Sequence, residues 1–356
     1  MDNSVMSVQK VAQLFCPPGE NIVQFKQKLS QAEEQGLVPQ AERLRSGALW
    51  RRGWKKSELS QIGAKLGGIS KPAKGMSLAV FTTKGGVLKT TLSLNIARMA
   101  ALHGLKVCVV GLDIQGDMTN ALGFEAELEE SSTGLAEVIE KLNRTRGLTD
   151  YFHSQVRLEE IIYPTDLKNL FLIPETPELG QLNDALVNIN RREFWLKEKV
   201  VDRLKSAFDL IVMDCSPNWN KLTTNALVAS DLLVSPLECK INNFRNFKVF
   251  QQFLNEFVQE MRMDLKTLFI PTRYSKQRKL SLDILEWYQK NIPGCSPFGI
   301  RDCVLGEEAV ALNQSFAEHD PGHAAAVEMK AVIFEIFDKL YQSATETSSF
   351  SPEEFS

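Results

Sequence analysis

The stretch Phe81–Thr91 (Phe-Thr-Thr-Lys-Gly-Gly-Val-Leu-Lys-Thr-Thr) restricts what this chain can fold into more than any other. Before it, Met76–Thr82 is a short apolar run of strand length. After it, Leu92, Leu94, Ile96, Met99 and Leu102 recur at the mixed spacing of a buried helix. A strand that passes through a glycine turn into a helix opening Lys-Thr-Thr is the setting of a phosphate loop. Gly85 and Gly86 let backbone N–H groups turn inward over Val87 and Leu88, and the helix start at Lys89, Thr90 and Thr91 adds partial positive charge. In such a loop Lys89 reaches the terminal phosphates of a nucleotide, and the Thr90 hydroxyl holds magnesium.

The ordinary phosphate-loop pattern places glycine before the lysine, and here that residue is Leu88. A second pattern fits, Lys-Gly-Gly-x-x-Lys-Thr-Thr, with an additional lysine, Lys84, at the start of the loop. This resembles the deviant Walker A motif of the ParA/MinD family of ATPases. The resemblance implies that Lys84 reaches across an ATP-sandwich homodimer to the partner's phosphates. It also implies ATP with Mg2+ as the ligands and Lys84, Lys89 and Asp113 as the catalytic set.

Two further segments carry the resemblance. Phe208–Pro217 (Phe-Asp-Leu-Ile-Val-Met-Asp-Cys-Ser-Pro) is an apolar strand ending in Asp214, as in a Walker B motif, where the carboxylate binds magnesium through water and keeps Thr90 in register. Cys215 beside it reads as a packing residue. Val107–Leu112 leads into Asp113-Ile114-Gln115, similar to the family's Asp-x-Asp-Pro-Gln from its second aspartate onward, the one that positions the attacking water. Gly111 stands where the first aspartate is usual, which puts in doubt the coupling of this loop to the neighbouring switch.

From Met76 the pattern is α/β: strands at Leu170–Pro174, Leu210–Met213, Asp231–Pro236 and Leu268–Pro271 alternate with helices at Ser131–Arg144, Glu178–Val201, Thr223–Ala229, Asn246–Met261, Ser281–Asn291 and Ala324–Gln342. That order predicts a mostly parallel, doubly wound sheet with ligands at the strands' carboxyl ends. Pro271–Leu285 resembles the loop and helix after the family's adenine-side strand. Pro271 and Arg273 are thereby expected at the nucleotide, and Lys276, Arg278 and Lys279 on DNA, joined by Arg245 and Lys248.

The net charge of −3 hides an asymmetry: up to Lys74 there are twelve Lys/Arg against six acids, about +6, leaving about −9 for the rest. Such a block suits a polyanion. Within it, Ser7–Phe15 and Asn21–Gln35 read as helices, Arg43–Trp54 as a small wing and Ser57–Leu66 as a closing helix with Ser57 as its cap. The series resembles a winged helix-turn-helix of the MerR type and the N-terminal domain of SopA-like partition ATPases. Lys26, Lys28, Arg51 and Arg52 are its candidate DNA contacts. The expected organisation is residues 1–66 for this domain, 67–75 for a linker, 76–342 for the ATPase domain and 343–356 for a disordered tail.

No run of eighteen or more apolar residues is present, and Met1–Lys10 lacks the pattern of a secretory signal. The six scattered cysteines form no Cys-x-x-Cys pair, which suits a reducing compartment and speaks against zinc or a disulfide framework. A cytoplasmic, nucleoid-associated protein without a membrane partner is expected. The stripe Val332, Ile333, Ile336, Phe337 and Leu340 has Glu335 and Asp338 among it, which favours core packing over a MinD-like membrane helix. The resemblance implies a partition ATPase that binds DNA without sequence preference when loaded with ATP and is released by a ParB-like adaptor. A nucleotide-responsive transcriptional repressor using the N-terminal domain is one alternative, and a MinD-like positioning ATPase is the other.

Overall fold

The computed structural model describes residues 5–46, 49–124 and 145–347. Its centre is an eight-stranded sheet. In chain order the strands are β4 (Met76–Val80), β5 (Val107–Leu112), β6 (Tyr163–Pro164), β7 (Leu170–Ile173), β8 (Leu210–Cys215), β9 (Leu232–Glu238), β10 (Lys266–Tyr274) and β11 (Ile300–Arg301), following β1 (Val5–Ser7), β2 (Glu42–Ser46) and β3 (Leu49–Lys55) of a separate small sheet. The spatial order is β11-β10-β9-β4-β8-β5-β7-β6, and only β6 runs antiparallel to its neighbour. Every residue of β4, β5, β8 and β9 is buried, as expected of parallel strands covered on both faces.

This arrangement fixes where chemistry can occur. The chain leaves β4 toward β5 on one side, while β9 and β10 lie on the other, so β4 stands at the switch point of the sheet. Register then places Asp214 of β8 opposite Val80 on one side and Gly111 on the other. The helix Lys89–Leu102 begins at the carboxyl end of β4 and is buried throughout Leu92–Leu102, consistent with apolar residues on all its faces.

The first residues form two helices, Val8–Phe15 and Ile22–Glu34, the β2–β3 hairpin paired to β1, and a closing helix Leu59–Leu66. Ser7 caps the first helix, its Oγ accepting from the Lys10 N–H, and Asn21 caps the second through the Val23 N–H at 2.8 Å. Ser57 does not cap the closing helix. It lies inside a 3-10 turn, Lys56–Glu58, where the Glu58 carboxylate accepts from the Lys55 N–H at 2.8 Å.

This N-terminal unit shares a core with the sheet domain. Phe15 meets the His103 ring edge-on at 5.4 Å, and Lys330 donates to the carbonyls of Gln13 and Cys16, each at 2.7 Å. Residues 67–75, read from sequence as a linker, are laid along this joint: Ile69 is buried, and the Tyr341 hydroxyl donates to the Ser70 carbonyl. The stripe Val332, Ile333, Ile336, Phe337 and Leu340 is fully buried here too.

Two other expectations change. The segment expected to be helical over Glu178–Val201 breaks after Asn188, with Arg191 in the left-handed region. The buried Asn225 takes up the freed backbone groups, donating to the Arg192 carbonyl at 2.7 Å and accepting from the Leu196 N–H at 2.9 Å. The last helix runs Ala324–Thr347, past the expected end at Gln342, so the tail expected from 343 begins as helix. Its remainder, 348–356, and the expected helix Ser131–Arg144 lie outside the described residues.

The joint between the two units is tight enough to test. A Cβ on Gly63 would lie 2.1 Å from the Leu102 carbonyl oxygen and 2.5 Å from Phe15 Cε1, and a backbone oxygen has little room to yield. Gly63→Ala is expected to cost about 1–3 kcal/mol, read as a lowered urea midpoint. Gly180→Ala, in a helix with open space around it, is expected to gain about 0.5–1 kcal/mol.

Candidate active site

The phosphate loop joins β4 to its helix and is held from below. The Val87 carbonyl accepts from Thr272 Oγ1 at 3.3 Å and the Gly86 carbonyl from Arg273 Nη1 at 2.5 Å, both donors at the end of β10. Leu88 has φ +72°, the left-handed conformation that glycine supplies at this place in the ordinary pattern. Above the loop there is space: a Cβ on Gly85 or Gly86 would meet nothing within 4 Å. Arg273 also pairs with Asp302 at 3.2 Å, whereas Pro271 is buried in β10 opposite Leu237.

Asp214 organises the base of the site. Fully buried, it accepts from Thr90 Oγ1 at 2.9 Å and from Ser93 Oγ at 2.6 Å, one through each carboxylate oxygen. Burial pushes its carboxyl up to about 6, against the hydrogen bonds from Ser93 and Thr90 and the charge of Lys89. Lys89 is itself buried, donating to the Lys84 carbonyl at 3.0 Å. Burial lowers its pKa, and Asp214 and Asp113 oppose that shift. Asp113, at the carboxyl end of β5, is buried and accepts from the Gln115 N–H at 3.2 Å.

A hydroxyl and a carboxylate at hydrogen-bond distance, beside a lysine and a row of open backbone amides, is a donor set that fits a divalent cation and a phosphate chain. Thr90 and Asp214 are the residues that would hold the cation. Cys215 is buried with its thiol pKa raised by burial, then by Asp214, which leaves it a packing residue. Among the described residues no group of three His, Cys, Asp or Glu is placed to hold a metal on its own, and no helix is long and apolar enough to cross a membrane.

The Lys84 side chain pairs with Glu238 at 3.2 Å and is 38% exposed. Glu238 ends β9 and has two other partners, Lys240 Nζ at 2.5 Å and Asn243 Nδ2 at 2.8 Å. Burial works against its ionisation, but the bonds from Lys240 and Lys84 win and hold its carboxyl below the usual range. Glu238 and Ser93 were absent from the sequence-derived site. Both had a signal: Ser93 follows Thr90 at helical spacing, and Glu238 closes an apolar strand in the same manner as Asp214.

A further carboxyl, Glu175 just beyond β7, is also buried beside the site. Burial pushes it up to about 8, against a hydrogen bond from Thr119 and with help from Asp214.

The basic residues at the sheet's other flank divide in two. Lys248, on the helix Ile241–Glu260, and Lys276, Arg278 and Lys279, at the start of the helix Lys279–Asn291, are exposed; the Ser281 hydroxyl, donating to the Cys239 carbonyl at 3.2 Å, sets the second helix beside the end of β9. The Arg245 side chain lies outside the described residues. In the N-terminal unit, Lys26 bonds Gln9, Lys28 pairs with Glu20 and Arg52 with Glu33 at 2.6 Å; the Arg51 side chain is outside the described residues.

Comparison with known proteins agrees with this geometry. The family described as "AAA domain" matches residues 75–267. The chromosome partitioning protein ParA of Myxococcus xanthus is 30% identical over 192 residues, 54% of this chain and 62% of that protein. The sporulation initiation inhibitor protein Soj of Bacillus subtilis is 34% identical over 166 residues, 47% of this chain and 59% of that protein. This chain thus spans about three fifths of each of these relatives. Among solved structures, cobyrinic acid a,c-diamide synthase of Mycobacterium smegmatis with bound ADP and magnesium aligns with a TM-score of 0.54 and 26% identity, over 68% of this chain and 91% of that one. A family match over more than half of the chain, on a sheet that brings Lys84, Lys89, Thr90, Asp113 and Asp214 to one edge, places the chain in the ParA family of P-loop ATPases.

Proposed function

We propose that this chain is a partition or positioning ATPase, in which ATP and Mg2+ close a homodimer that binds DNA without sequence preference until a ParB-like adaptor triggers hydrolysis. The observation that carries the reading is the Lys84–Glu238 pair. Lys84 sits at the mouth of the loop on a partner that does not need it, since Lys240 and Asn243 still hold Glu238 when Lys84 leaves. The lysine is therefore free to exchange its own carboxylate for phosphates bound by a second copy. A triphosphate offers the stronger partner and ADP the weaker, so dimer affinity follows the γ-phosphate.

Within one copy, the loop amides and Lys89 bind the phosphates. Magnesium would supply neutralisation of phosphate charge, and Thr90 and Asp214 are the residues that would hold it. Asp113 aligns the attacking water. Thr90 is already held by Asp214, so the phosphate helix and strand β8 need no rearrangement to receive the ligand. Phosphoryl transfer to water needs positioning and charge compensation rather than covalent catalysis. With Lys84 in place of an arginine finger across the dimer, intrinsic turnover is slow.

Deleting the N-terminal unit would not test its role cleanly, because that would strip Phe15 from His103 and uncover the Leu102 end of the phosphate helix. Point substitutions separate the two DNA surfaces instead. Replacing Lys276, Arg278 and Lys279 by Ala is expected to remove ATP-dependent binding to random-sequence DNA. Replacing Lys26, Lys28 and Arg52 should leave it in place and lower binding only to an operator. Wild-type binding should fall steeply with salt and be far weaker with ADP; equal binding with ATP, ADP and no nucleotide would overturn the proposal.

Two loop substitutions have opposite expected phenotypes. Lys84→Ala should leave the ATP-loaded chain monomeric by light scattering and unable to hold DNA. Asp113→Ala should keep the ATP dimer but lower turnover by about 100-fold or more.

A further inference from the structure

Gly111 leaves strand β5 without the first carboxylate of the Asp-x-Asp pattern. The volume that such a side chain would enter is occupied. A Cβ built on Gly111 would lie 2.2 Å from Glu175 Cδ, 2.5 Å from its Oε1 and 2.6 Å from its Cγ. The carboxyl of Glu175, which follows β7 on the next strand over, has been laid into the place next to the end of β5.

Its two oxygens are used unequally. Oε2 accepts from the Thr119 N–H at 2.9 Å and also bonds the Thr119 hydroxyl, which in turn accepts from the Glu175 backbone N–H at 3.0 Å. Oε1 is buried and has no hydrogen-bond partner. Thr119 belongs to the short helix Asp117–Ala121, which directly follows the turn from Asp113 to Gly116. Glu175 thus grips the segment carrying the water-aligning aspartate, and it keeps one oxygen unspent at the carboxyl edge of the sheet.

We infer that Glu175 is a positioning residue for phosphoryl transfer, whose carboxyl group fills from β7 the place of the side chain that β5 lacks at Gly111 and fixes the Asp113 turn through Thr119. The inference rests on the ATPase reading given above. Glu175 itself touches no reacting atom; it acts through Thr119 and Asp113. Because the two side chains compete for one volume, an aspartate at 111 and a glutamate at 175 are alternatives, and the chain tolerates one at a time.

That exclusivity is testable with two single variants and their combination, measured on the full chain with ATP and magnesium. Glu175→Ala is expected to lower kcat about ten-fold or more with KM for ATP held. Gly111→Asp alone should lower the melting temperature of the nucleotide-free protein by several degrees, since two carboxyl groups are forced together. The combined variant should regain both: kcat within about three-fold of wild type and a melting temperature restored relative to Gly111→Asp alone. Wild-type kcat in Glu175→Ala, or a combined variant no faster than Glu175→Ala, overturns the inference. The melting comparison needs no nucleotide, so additive losses there overturn the shared volume even if Gly111→Asp is too unstable to assay. A wild-type chain that neither binds nor hydrolyses ATP overturns the ATPase reading itself and is seen before any substitution is made.

Discussion

The site depends on one buried carboxylate. Asp214 sits in the middle of the sheet, with β4 on one side and β5 on the other, and binds two hydroxyls a helical turn apart on the phosphate helix. A fully buried charge is costly unless its oxygens are satisfied, and Thr90 and Ser93 satisfy one each. The same bonds fix the rotation and height of the helix on the sheet, and with them the positions of Lys89 and of the loop amides. The carboxylate that would face a cation is therefore also the clamp that sets the cation's other ligand. Neither job leaves freedom to substitute the residue.

A second buried cation extends this frame outward. Arg98, on the same helix and with no exposure, makes two bonds to Asp166 at 2.8 and 2.9 Å and two to Glu318 at 2.6 and 2.9 Å. Asp166 also takes Lys56 of the N-terminal unit at 2.8 Å. Burial alone would raise the Asp166 carboxyl, yet Arg98 and Lys56 bring it down to about 2. Removing Arg98 would strand the buried Glu318 carboxylate, a loss of the kind that typically costs about 3–5 kcal/mol. The helix Lys89–Leu102 and the N-terminal unit are thus joined through ionic contacts as well as a shared apolar core.

How much of this the sequence disclosed follows from which physical signals are local. The strands Val107–Leu112 and Leu170–Ile173 and the loop at Lys84–Thr91 stand out because continuous apolar runs, glycines and a charged residue at the strand end lie within a few positions of one another. Asp113 and Asp214 were legible for the same reason. The Ser57 cap was not, because Glu58 beside it competes for the same turn and wins. The break near Asn188 was hidden because its cause, Asn225, is distant in sequence. Residues 67–75 have a linker's composition, and only the long-range contacts of Ile69 and Ser70 reveal that they are packed. Gly111 read as a loss until the fold brought Glu175 into the gap, since nothing in the order of residues joins the two.

The loop itself combines strain with openness in a way that suits an exchangeable lysine. Leu88 at φ +72° and Arg273 at φ +53° both occupy the left-handed region, each at a cost of roughly 1–2 kcal/mol for a residue with a side chain. Such strain persists where surrounding contacts over-determine it. Here those contacts are the bonds from Thr272 and Arg273 to the Val87 and Gly86 carbonyls, with Val87 buried and Leu88 packed on the core. All of this restraint acts on the half of the loop nearest the helix. The half nearest β4 carries Gly85 with open space around it and Lys84 half-exposed on a carboxylate that has other partners. The bonds from Thr272 and Arg273 hold the helix-side half, and Lys89, donating to the Lys84 carbonyl at 3.0 Å, ties the backbone of the other half to it. The Lys84 side chain lies outside these restraints, on a carboxylate that Lys240 and Asn243 also hold.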